Sequence, residues 1–375
     1  MRSIAASKSQ LGPPKASFWE ARGDESVLWH FASPRRRCPP ASPPISSTAY
    51  APPPGSVDKA PPALDRVGLV LRVLVTGGAG FLGSHVVDAL VARGDRVLVV
   101  DDLSTGDRAN VNAAADLRVA DVSDSSALER ALAGQRWDAA VHCAAKTKVV
   151  ESMEKKELYE RVILEGTRNV LKLSRGHHAS FFVNISTGGA IYGETPVCAD
   201  ETVPVDPPSN YGRFKAKAEE LVRSSRIDSI TLRLANIYGA RQRKDLEGGV
   251  IAIFIGCWKR REPITLFGDG SYQRDYVYIG DVVQAILTAL AGRHRGVYNI
   301  GTGIATSVND VVRTLTSLLG APPGVHQAAA RPAEILRACV DPTRAARDGL
   351  WQPRTALAEG LRLTAAAEGA LATAD

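Results

Sequence analysis

A glycine-rich turn has the residue spacing of a dinucleotide-binding site. The strand-like residues 71–75 run into Thr76-Gly-Gly-Ala-Gly-Phe-Leu-Gly83, and a helical pattern follows. Gly77 permits a tight turn, Gly80 lets the backbone approach a pyrophosphate, and Gly83 lets helix and strand pack closely. The amide groups of the helix N-terminus would then face the phosphates. Taken alone, such a glycine pattern also occurs in ordinary strand-to-helix turns.

An acidic residue at the end of the next strand-like run indicates which dinucleotide fits. Asp101 follows the apolar run 96–100. A carboxylate at this position can accept hydrogen bonds from both hydroxyls of an adenosine ribose. The next residue is Asp102, not an arginine that would hold a 2′-phosphate. The sequence therefore favours NAD over NADP.

A tyrosine and a lysine four residues apart could transfer protons beside this cofactor. Tyr211 and Lys215 open a helical pattern, and positions i and i+4 share a helix face. An ammonium near a phenol favours the phenolate and lowers a pKa that is about 10 in isolation. Such a tyrosine can exchange a proton with a substrate alcohol while a hydride moves to nicotinamide. The same spacing also occurs as an ordinary surface pair, but here it follows the hydroxyl-bearing strand end Ser186-Thr187.

Alternating strand-length and helix-length patterns position these residues. Apolar runs recur at 71–75, 96–100, 117–120, 139–143, 181–185 and 230–234, and helical patterns lie at 84–93, 125–133, 158–174 and 215–225. Such runs indicate a parallel sheet that is covered on both faces. The predicted fold class is therefore α/β, a Rossmann-type doubly wound parallel sheet with a smaller C-terminal substrate-binding lobe.

The order of elements becomes less regular after residue 240. We predict helices near 249–260, 281–291 and 307–319, and strands at 264–267 and 276–278. Residues 67–245 should form mainly the NAD-binding domain, and residues 246–350 mainly the substrate-binding lobe, interleaved with it. Residues 351–375 are expected to form a helical tail.

Composition and charge narrow the class of protein. The 375 residues are 45% hydrophobic and 23% charged, which is typical of a soluble globular protein with a large core. No apolar run approaches the ~20 residues that span a bilayer. Much of the net charge of +6 lies in the first 66 residues. The remainder lacks the clustered basic and aromatic residues of a nucleic-acid site.

Cysteine usage and the N-terminal composition give two further expectations. The five cysteines are scattered without metal-binding spacing, so we expect no metal site, no disulfide framework and a reducing cytoplasm. Residues 1–66 hold 12 of the 22 prolines and lack the apolar segment of a secretory signal. This composition favours a disordered leader, or sequence upstream of the true translation start, over a targeting or interaction tail.

Several motifs occur together in one order. They are TGGAGFLGSH (76–85), Asp101, Asp121-Val122, VHCAA (141–145), STGGAIYGE (186–194), YGRFK (211–215), LRLANIYGARQ (232–242), LFGDGSYQRDYVY (266–278), YNIGTG (298–303) and RPAE (331–334). Over about residues 71–362 the chain resembles the NAD-dependent epimerase/dehydratase family of extended short-chain dehydrogenase/reductases, specifically the UDP-glucose 4-epimerase type.

The resemblance implies a resident NAD and epimerisation at C4 of a UDP-hexose, such as UDP-glucose or UDP-galactose. Tyr211 would remove the proton from the 4-hydroxyl, hydride would pass to NAD, and the 4-keto sugar would turn before hydride returned to its other face. Catalytic candidates are Tyr211, Lys215, Thr187 and Ser186. Cofactor-binding candidates are Gly77, Gly80, Phe81, Leu82, Gly83, Asp101, Asp102, Asp121, Val122, Ala144, Tyr211 and Lys215.

The resemblance also implies how a nucleotide sugar would be held. Substrate-binding candidates are Asn236, Phe267, Arg274, Arg331, Glu334 and Ala338. The two arginines suit a pyrophosphate because they offer bidentate cationic donors, and Phe267 would lie against the uracil. The small Ala338 would leave space for an N-acetyl group at the sugar C2. A homodimer through helices that include 151–174 and 210–227 is also implied.

The sequence departs from the family pattern near the reacting centre. Counted back from Tyr192, the usual catalytic Ser/Thr position is Gly188. The hydroxyl would therefore come from Thr187 or Ser186, or be absent. Ile163 stands where Asn is usual, which loses a polar contact near the nicotinamide.

The residues after Thr187 bear on the type of reaction. Related dehydratases and decarboxylases carry carboxylates after the catalytic Thr, whereas Gly188-Gly189-Ala190 follow here. Elimination would therefore lack its proton carrier, which favours epimerisation. An NAD-dependent nucleotide-sugar reductase or dehydrogenase, and a non-catalytic dinucleotide sensor, remain alternatives.

Overall fold

A seven-stranded parallel sheet forms the centre of the fold. The computed structural model describes residues 70–244, 249–330 and 335–371; the predicted leader, Arg331 and Glu334 lie outside them. The sheet has the order β10-β6-β5-β4-β1-β2-β3. Its strands are β1 Arg72–Thr76, β2 Arg96–Asp101, β3 Asp116–Val119, β4 Ala139–His142, β5 Phe181–Thr187, β6 Ser229–Leu234 and, later in the chain, β10 Gly296–Ile300. This is the predicted doubly wound architecture.

Helices cover both faces of this sheet, which explains its continuous apolar strands. The side chains of Val73 and Val75 pack on one face, among the residues of α1 and α8, whereas Leu74 packs on the other. Successive strand residues point to opposite faces, so a strand buried on both sides needs apolar residues throughout. The flanking helices are α1 Phe81–Ala92, α2 Ser125–Ala131, α5 Gly166–Gly176, α6 Asn210–Ser224 and α8 Ile279–Gly292.

An irregular helical segment precedes α5. It consists of α3 Val149–Glu154, α4 Lys156–Glu160 and a π-helical turn, Arg161–Glu165, that leads directly into α5. The sequence pattern predicted one helix over 158–174 and did not reveal the π-helical turn. Ile163 lies in this turn, is 1% exposed and packs with Tyr159 and Phe214. It therefore belongs to the core between this segment and α6, which accounts for an apolar residue where Asn is usual.

The C-terminal part builds smaller sheets and returns to the large one. Strand β9 pairs with β7, β11 and β13, and β8 pairs with β12. The strand β10 pairs with β6, so this part of the chain also completes the large sheet. Its other elements are β7 Asn236–Tyr238, α7 Val250–Arg260, β8 Ile264–Phe267, β9 Gln273–Tyr278, β11 Ala305–Ser307, α9 Val308–Leu319, β12 Val325–Ala328, β13 Arg337–Ala338, α10 Thr343–Arg347 and α11 Leu357–Ala367. Within the described ranges, none of the helices combines the length and apolar character needed to cross a bilayer.

A disulfide contradicts the expectation drawn from cysteine spacing. Cys198 and Cys339 are bonded, with a Cα–Cα distance of 4.5 Å across a sequence separation of 141. Ala199 and Val340 form a parallel bridge beside them, and the Ala199 amide donates to the Cys339 carbonyl at 3.0 Å. This pairing depends on a long-range chain contact that spacing in the sequence does not show. The cysteine pattern consequently no longer indicates a reducing compartment.

We predict that Cys339→Ser lowers the free energy of unfolding by about 2–5 kcal/mol under oxidising conditions. The reason is that the bond closes a long loop and restricts the unfolded chain. Urea unfolding with and without a thiol reductant measures this, and reduced wild type should unfold like the variant. Equal midpoints for oxidised wild type and variant would show that the bond contributes nothing to stability.

Candidate active site

A cavity of about 1290 Å³ opens at the carboxyl ends of β1, β2, β4 and β5. The order of the sheet reverses here, since β1 lies between β2 and β4. Ligands of doubly wound sheets bind at such a switch point. The cavity is lined by all twelve cofactor-binding candidates, and by Thr187, Ser186, Asn236 and Arg274. The fold thus brings together residues that lie far apart in the sequence.

The glycine turn allows a close backbone approach. Gly77 has φ +69°, and a Cβ on it would lie 2.8 Å from the Ala144 amide nitrogen. A Cβ on Gly83 would lie 2.1 Å from the Gly77 carbonyl oxygen. Helix α1 begins at Phe81, and no side chain caps its N-terminus. Its first amide groups are therefore available to an anion, and the turn fits a dinucleotide pyrophosphate.

Asp101 joins the glycine turn to the loop after β2. It is 7% exposed, and its carboxylate accepts hydrogen bonds from the Ala79 amide at 2.9 Å and the Leu103 amide at 2.8 Å. Burial raises its pKa, although both amides lower it. The side chain of Asp102 holds the same loop by accepting from the Ser104 amide at 2.9 Å. A buried carboxylate that faces the cavity here fits a ribose diol.

The remaining cofactor candidates form the wall beside α5. The Asp121 carboxylate accepts from the Ser123 amide at 2.8 Å. Val122 is buried, and a Cβ on Gly166 would lie 2.8 Å from its Cγ2. The Ala144 amide donates to the Thr76 hydroxyl at 3.4 Å. These contacts of side chains with backbone amides, and the packing of Val122 against Gly166, fix the shape of the wall.

Helix α6 presents Tyr211 and Lys215 to the end of β5. The Ser209 hydroxyl caps α6 by accepting from the Gly212 amide at 3.1 Å. The Lys215 ammonium donates to the Ile185 carbonyl at 2.5 Å, and the Thr187 side chain hydrogen-bonds to the Tyr211 hydroxyl. The ring and the amine therefore both border the cavity.

The pKa of the tyrosine differs from the expectation that Lys215 lowers it. Burial raises the pKa of Tyr211 to about 12, partly opposed by the hydrogen bond with Thr187. Burial lowers the pKa of Lys215 to about 8, opposed chiefly by the negative charge of Glu219. The Lys215 amine donates to the Ile185 carbonyl, and burial, not the lysine, dominates the pKa of the phenol in this arrangement.

The structure distinguishes the two candidate hydroxyls. A Cβ on Gly188 would lie 2.5 Å from Val340 Cγ1, so the usual Ser/Thr side chain has no room there. The Ser186 hydroxyl donates to the Glu219 carboxylate at 2.5 Å. Thr187 is the hydroxyl in contact with Tyr211, and the geometry favours it as the partner of the tyrosine.

The substrate-binding candidates separate into two groups. Asn236 and Arg274 line the cavity, and Arg274 also donates to the Gln273 carbonyl at 2.9 Å. Phe267 is 36% exposed and Ala338 is 5% exposed. Neither belongs to the cavity wall within the described residues. Ala338 does pair with Arg274 in register between β13 and β9.

Two sets of wall residues were missed in the sequence analysis. One is basic and follows β7, where Arg241 pairs with Asp88 at 2.7 Å and Arg243 donates to the Thr105 carbonyl at 3.0 Å. The run Arg-Gln-Arg-Lys at 241–244 was the available signal. The other is apolar, with Val150 and Met153 about half exposed on α3 at the cavity. The described part of the chain contains no group of three His, Cys, Asp or Glu side chains able to hold a metal ion.

Comparisons with known proteins agree with this geometry. The NAD dependent epimerase/dehydratase family matches residues 73–301. A UDP-glucose 4-epimerase of Mycolicibacterium smegmatis is 35% identical over 307 residues, which cover 78% of this chain and 97% of that protein.

Two solved structures share the fold over most of the described chain. A Thermus thermophilus UDP-glucose 4-epimerase in complex with NAD is 39% identical, with a TM-score of 0.76, over 80% of this chain and 100% of that one. A Thermotoga maritima UDP-glucose 4-epimerase with UDP-glucose is 37% identical, with a TM-score of 0.76, over 80% and 99%. These matches confirm the predicted fold class and the predicted NAD dependence. The chain belongs to the NAD-dependent epimerase/dehydratase family.

Proposed function

We propose that this protein epimerises a UDP-hexose at C4, with NAD as a tightly held cofactor. The observation that carries the proposal is that Tyr211, Thr187 and Lys215 border the same cavity as the glycine turn and Asp101. The relatives named above as UDP-glucose 4-epimerases support the choice of reaction and of nucleotide sugar.

The cofactor would be held by three features of this chain. The glycine turn and the N-terminus of α1 would receive the pyrophosphate, Asp101 the adenosine ribose, and Lys215 the nicotinamide ribose. NAD, when bound, supplies reversible removal and return of a hydride at a carbinol carbon. Because Asp101 is buried and faces the cavity, hydroxyl donors of the ribose would satisfy a carboxylate that otherwise costs free energy to bury.

The protein's own part in the chemistry is proton transfer at one hydroxyl. As a phenolate, the Tyr211 oxygen would take the proton from the sugar 4-hydroxyl and give it back after the sugar has turned. Thr187 contacts this oxygen and can share a hydrogen bond with the same substrate hydroxyl. The positive charge of Lys215 would stabilise the phenolate once a bound ligand brings the groups together.

The space around the residues that follow Thr187 also favours epimerisation over elimination. The place of a side chain at Gly188 is filled by Val340, and a Cβ on Gly189 would lie 2.8 Å from the Asn236 side-chain oxygen. No carboxylate occurs between Thr187 and Tyr192. A water elimination needs a proton carrier at this position, and this chain has neither the residue nor the space.

The nucleotide diphosphate would be anchored while the sugar turns. Asn236, Arg274 and the basic residues after β7 lie at the cavity and suit an anionic diphosphate. Arg331 and Glu334 are further candidates outside the described residues. The homodimer through 151–174 and 210–227 is also a proposal from family resemblance.

We predict that purified protein interconverts UDP-galactose and UDP-glucose without added NAD. Tyr211→Phe should abolish conversion and Thr187→Val should reduce kcat by about 10²-fold, because each removes a group that handles the proton. Separation of the sugar isomers measures both. Tyr298→Phe is a matched control, since its hydroxyl bonds Asp348 at 3.1 Å and its ring is outside the cavity wall.

Other outcomes of this assay would contradict the proposal and favour a different function or mechanism. Stoichiometric release of NADH with an oxidised sugar would identify a dehydrogenase. Bound NAD without turnover of either sugar would favour a non-catalytic sensor. Full activity of Tyr211→Phe would remove the tyrosine from the mechanism.

We also predict conversion of the N-acetyl forms, UDP-N-acetylglucosamine and UDP-N-acetylgalactosamine. The reason comes from the family resemblance, which implies that a bulky side chain in place of Ala338 would crowd a C2 substituent. Ala338 itself lies behind the cavity wall, paired in register with the wall residue Arg274. The values of kcat/KM for both sugar pairs, measured with one preparation, decide this. Turnover of UDP-glucose with none of UDP-N-acetylglucosamine contradicts the prediction.

A further inference from the structure

A buried ion pair joins α6, the helix that carries the tyrosine and the lysine, to β6. Glu219 and Arg233 are joined at 2.7 Å, and their side chains are 10% and 9% exposed. The guanidinium also donates from Nε to both carboxylate oxygens, at 3.0 and 3.2 Å. A buried ion pair stabilises a site only where its remaining hydrogen-bonding groups are satisfied.

The surroundings of Glu219 and Arg233 meet this condition. Besides the donors of Arg233, the carboxylate accepts a hydrogen bond from the Ser186 hydroxyl at 2.5 Å. The guanidinium donates to the Tyr192 hydroxyl at 2.8 Å, and that hydroxyl donates to the Asn299 side chain at 2.8 Å. The pair therefore links α6 to β5, β6 and β10.

The helix places Glu219 in line with the reacting residues. Tyr211, Lys215 and Glu219 follow each other at intervals of four, so they share one face of α6. The last three residues of β5 contact these three side chains. Ile185 accepts from Lys215, Ser186 donates to Glu219 and Thr187 contacts Tyr211. Because these three residues are consecutive, loss of the Ser186–Glu219 hydrogen bond would also disturb the contacts of Ile185 with Lys215 and of Thr187 with Tyr211.

Glu219 is also the negatively charged neighbour that stabilises the Lys215 ammonium. Among the described residues, Lys215 interacts with Glu219 on its own helix and with His142 and Cys143 at the end of β4. Burial lowers the pKa of His142 to about 3 and raises the pKa of Cys143 to about 12. Both are therefore neutral near pH 8, as is Tyr211.

We propose that Glu219, held by Arg233 and Ser186, is a positioning residue. It fixes the Tyr211–Lys215 face of α6 against the end of β5 and supplies the negative charge that balances the Lys215 ammonium. Its effect on turnover rests on the proposed function, whereas its effect on Lys215 does not.

Removing the acidic partner and removing the basic partner of the ion pair should shift the pKa of Lys215 in opposite directions. Glu219→Gln keeps a hydrogen-bonding group beside Ser186 and removes the negative charge, so the pKa of Lys215 should fall by about 0.5 to 1 pH unit. Arg233→Met leaves the carboxylate without its partner, so the pKa of Lys215 should rise. The double variant should return it toward the wild-type value. A purely structural brace would not give shifts of opposite sign.

The direct measurement is a pH titration of ¹³C-labelled lysine side chains by NMR in the purified protein. The Lys215 signal is assigned by its loss in Lys215→Met, and the wild-type amine should titrate near pH 8. Glu220→Gln is the matched control because Glu220 adjoins Glu219 on α6 but is 58% exposed and pairs with Arg223. It should leave the titration unchanged.

The pH profile of turnover is the second readout. The alkaline limb of kcat/KM should move to lower pH in Glu219→Gln, because Lys215 then loses its proton earlier. An unchanged Lys215 titration in Glu219→Gln overturns the inference, even where Arg233→Met fails to fold. A wild-type protein that converts no sugar overturns the proposed function instead, and the NMR titration still decides the role of Glu219.

Discussion

The contact between the end of β5 and one face of α6 is the constraint on which the site depends. Three consecutive strand residues hold three helix side chains spaced by four residues. Burial of an amine is unfavourable unless it is hydrogen-bonded and opposed by charge. Lys215 has the Ile185 carbonyl as its acceptor and Glu219 as the opposing charge. Tyr211 and Lys215 are therefore positioned by backbone geometry and by a buried ion pair that lies outside the cavity wall.

A neutral hydrogen-bonded chain supports the cofactor side of the cavity in a similar way. His142 is 2% exposed and lies between the Thr76 and Thr167 hydroxyls, at 2.7 and 3.1 Å. Thr167 donates its proton to the Ile163 carbonyl at 2.6 Å. Because the Thr167 proton is used in this bond, His142 donates from Nε2 to the Thr167 oxygen. Burial lowers the pKa of His142 to about 3, so the ring is neutral and Nδ1 accepts from the Thr76 hydroxyl. This chain connects the start of the glycine turn to the π-helical turn before α5.

The sequence predicted those features that depend on local pattern. The strands of the large sheet were recognisable because burial on both faces requires continuous apolar runs. The glycine turn was recognisable because its backbone contacts exclude a Cβ. Features set by contacts between distant segments were not accessible. The strand β10 joins a sheet whose other strands all precede residue 235. Likewise, the tertiary burial that raises the pKa of Tyr211 is not visible in the spacing of Tyr211 and Lys215.

The departure at Gly188 shows how a local change is matched by a distant one. Val340 lies between two glycines: a Cβ on Gly188 would lie 2.5 Å from its Cγ1, and a Cβ on Gly301 would lie 2.4 Å from its Cγ2. The valine adjoins Cys339 and the bridge to Ala199. Thus the space of the usual catalytic side chain is occupied by a segment that the disulfide holds in place. The hydroxyl that contacts Tyr211 is that of Thr187, one residue earlier on the same strand, and under the proposed function this residue would supply the hydroxyl that Gly188 lacks.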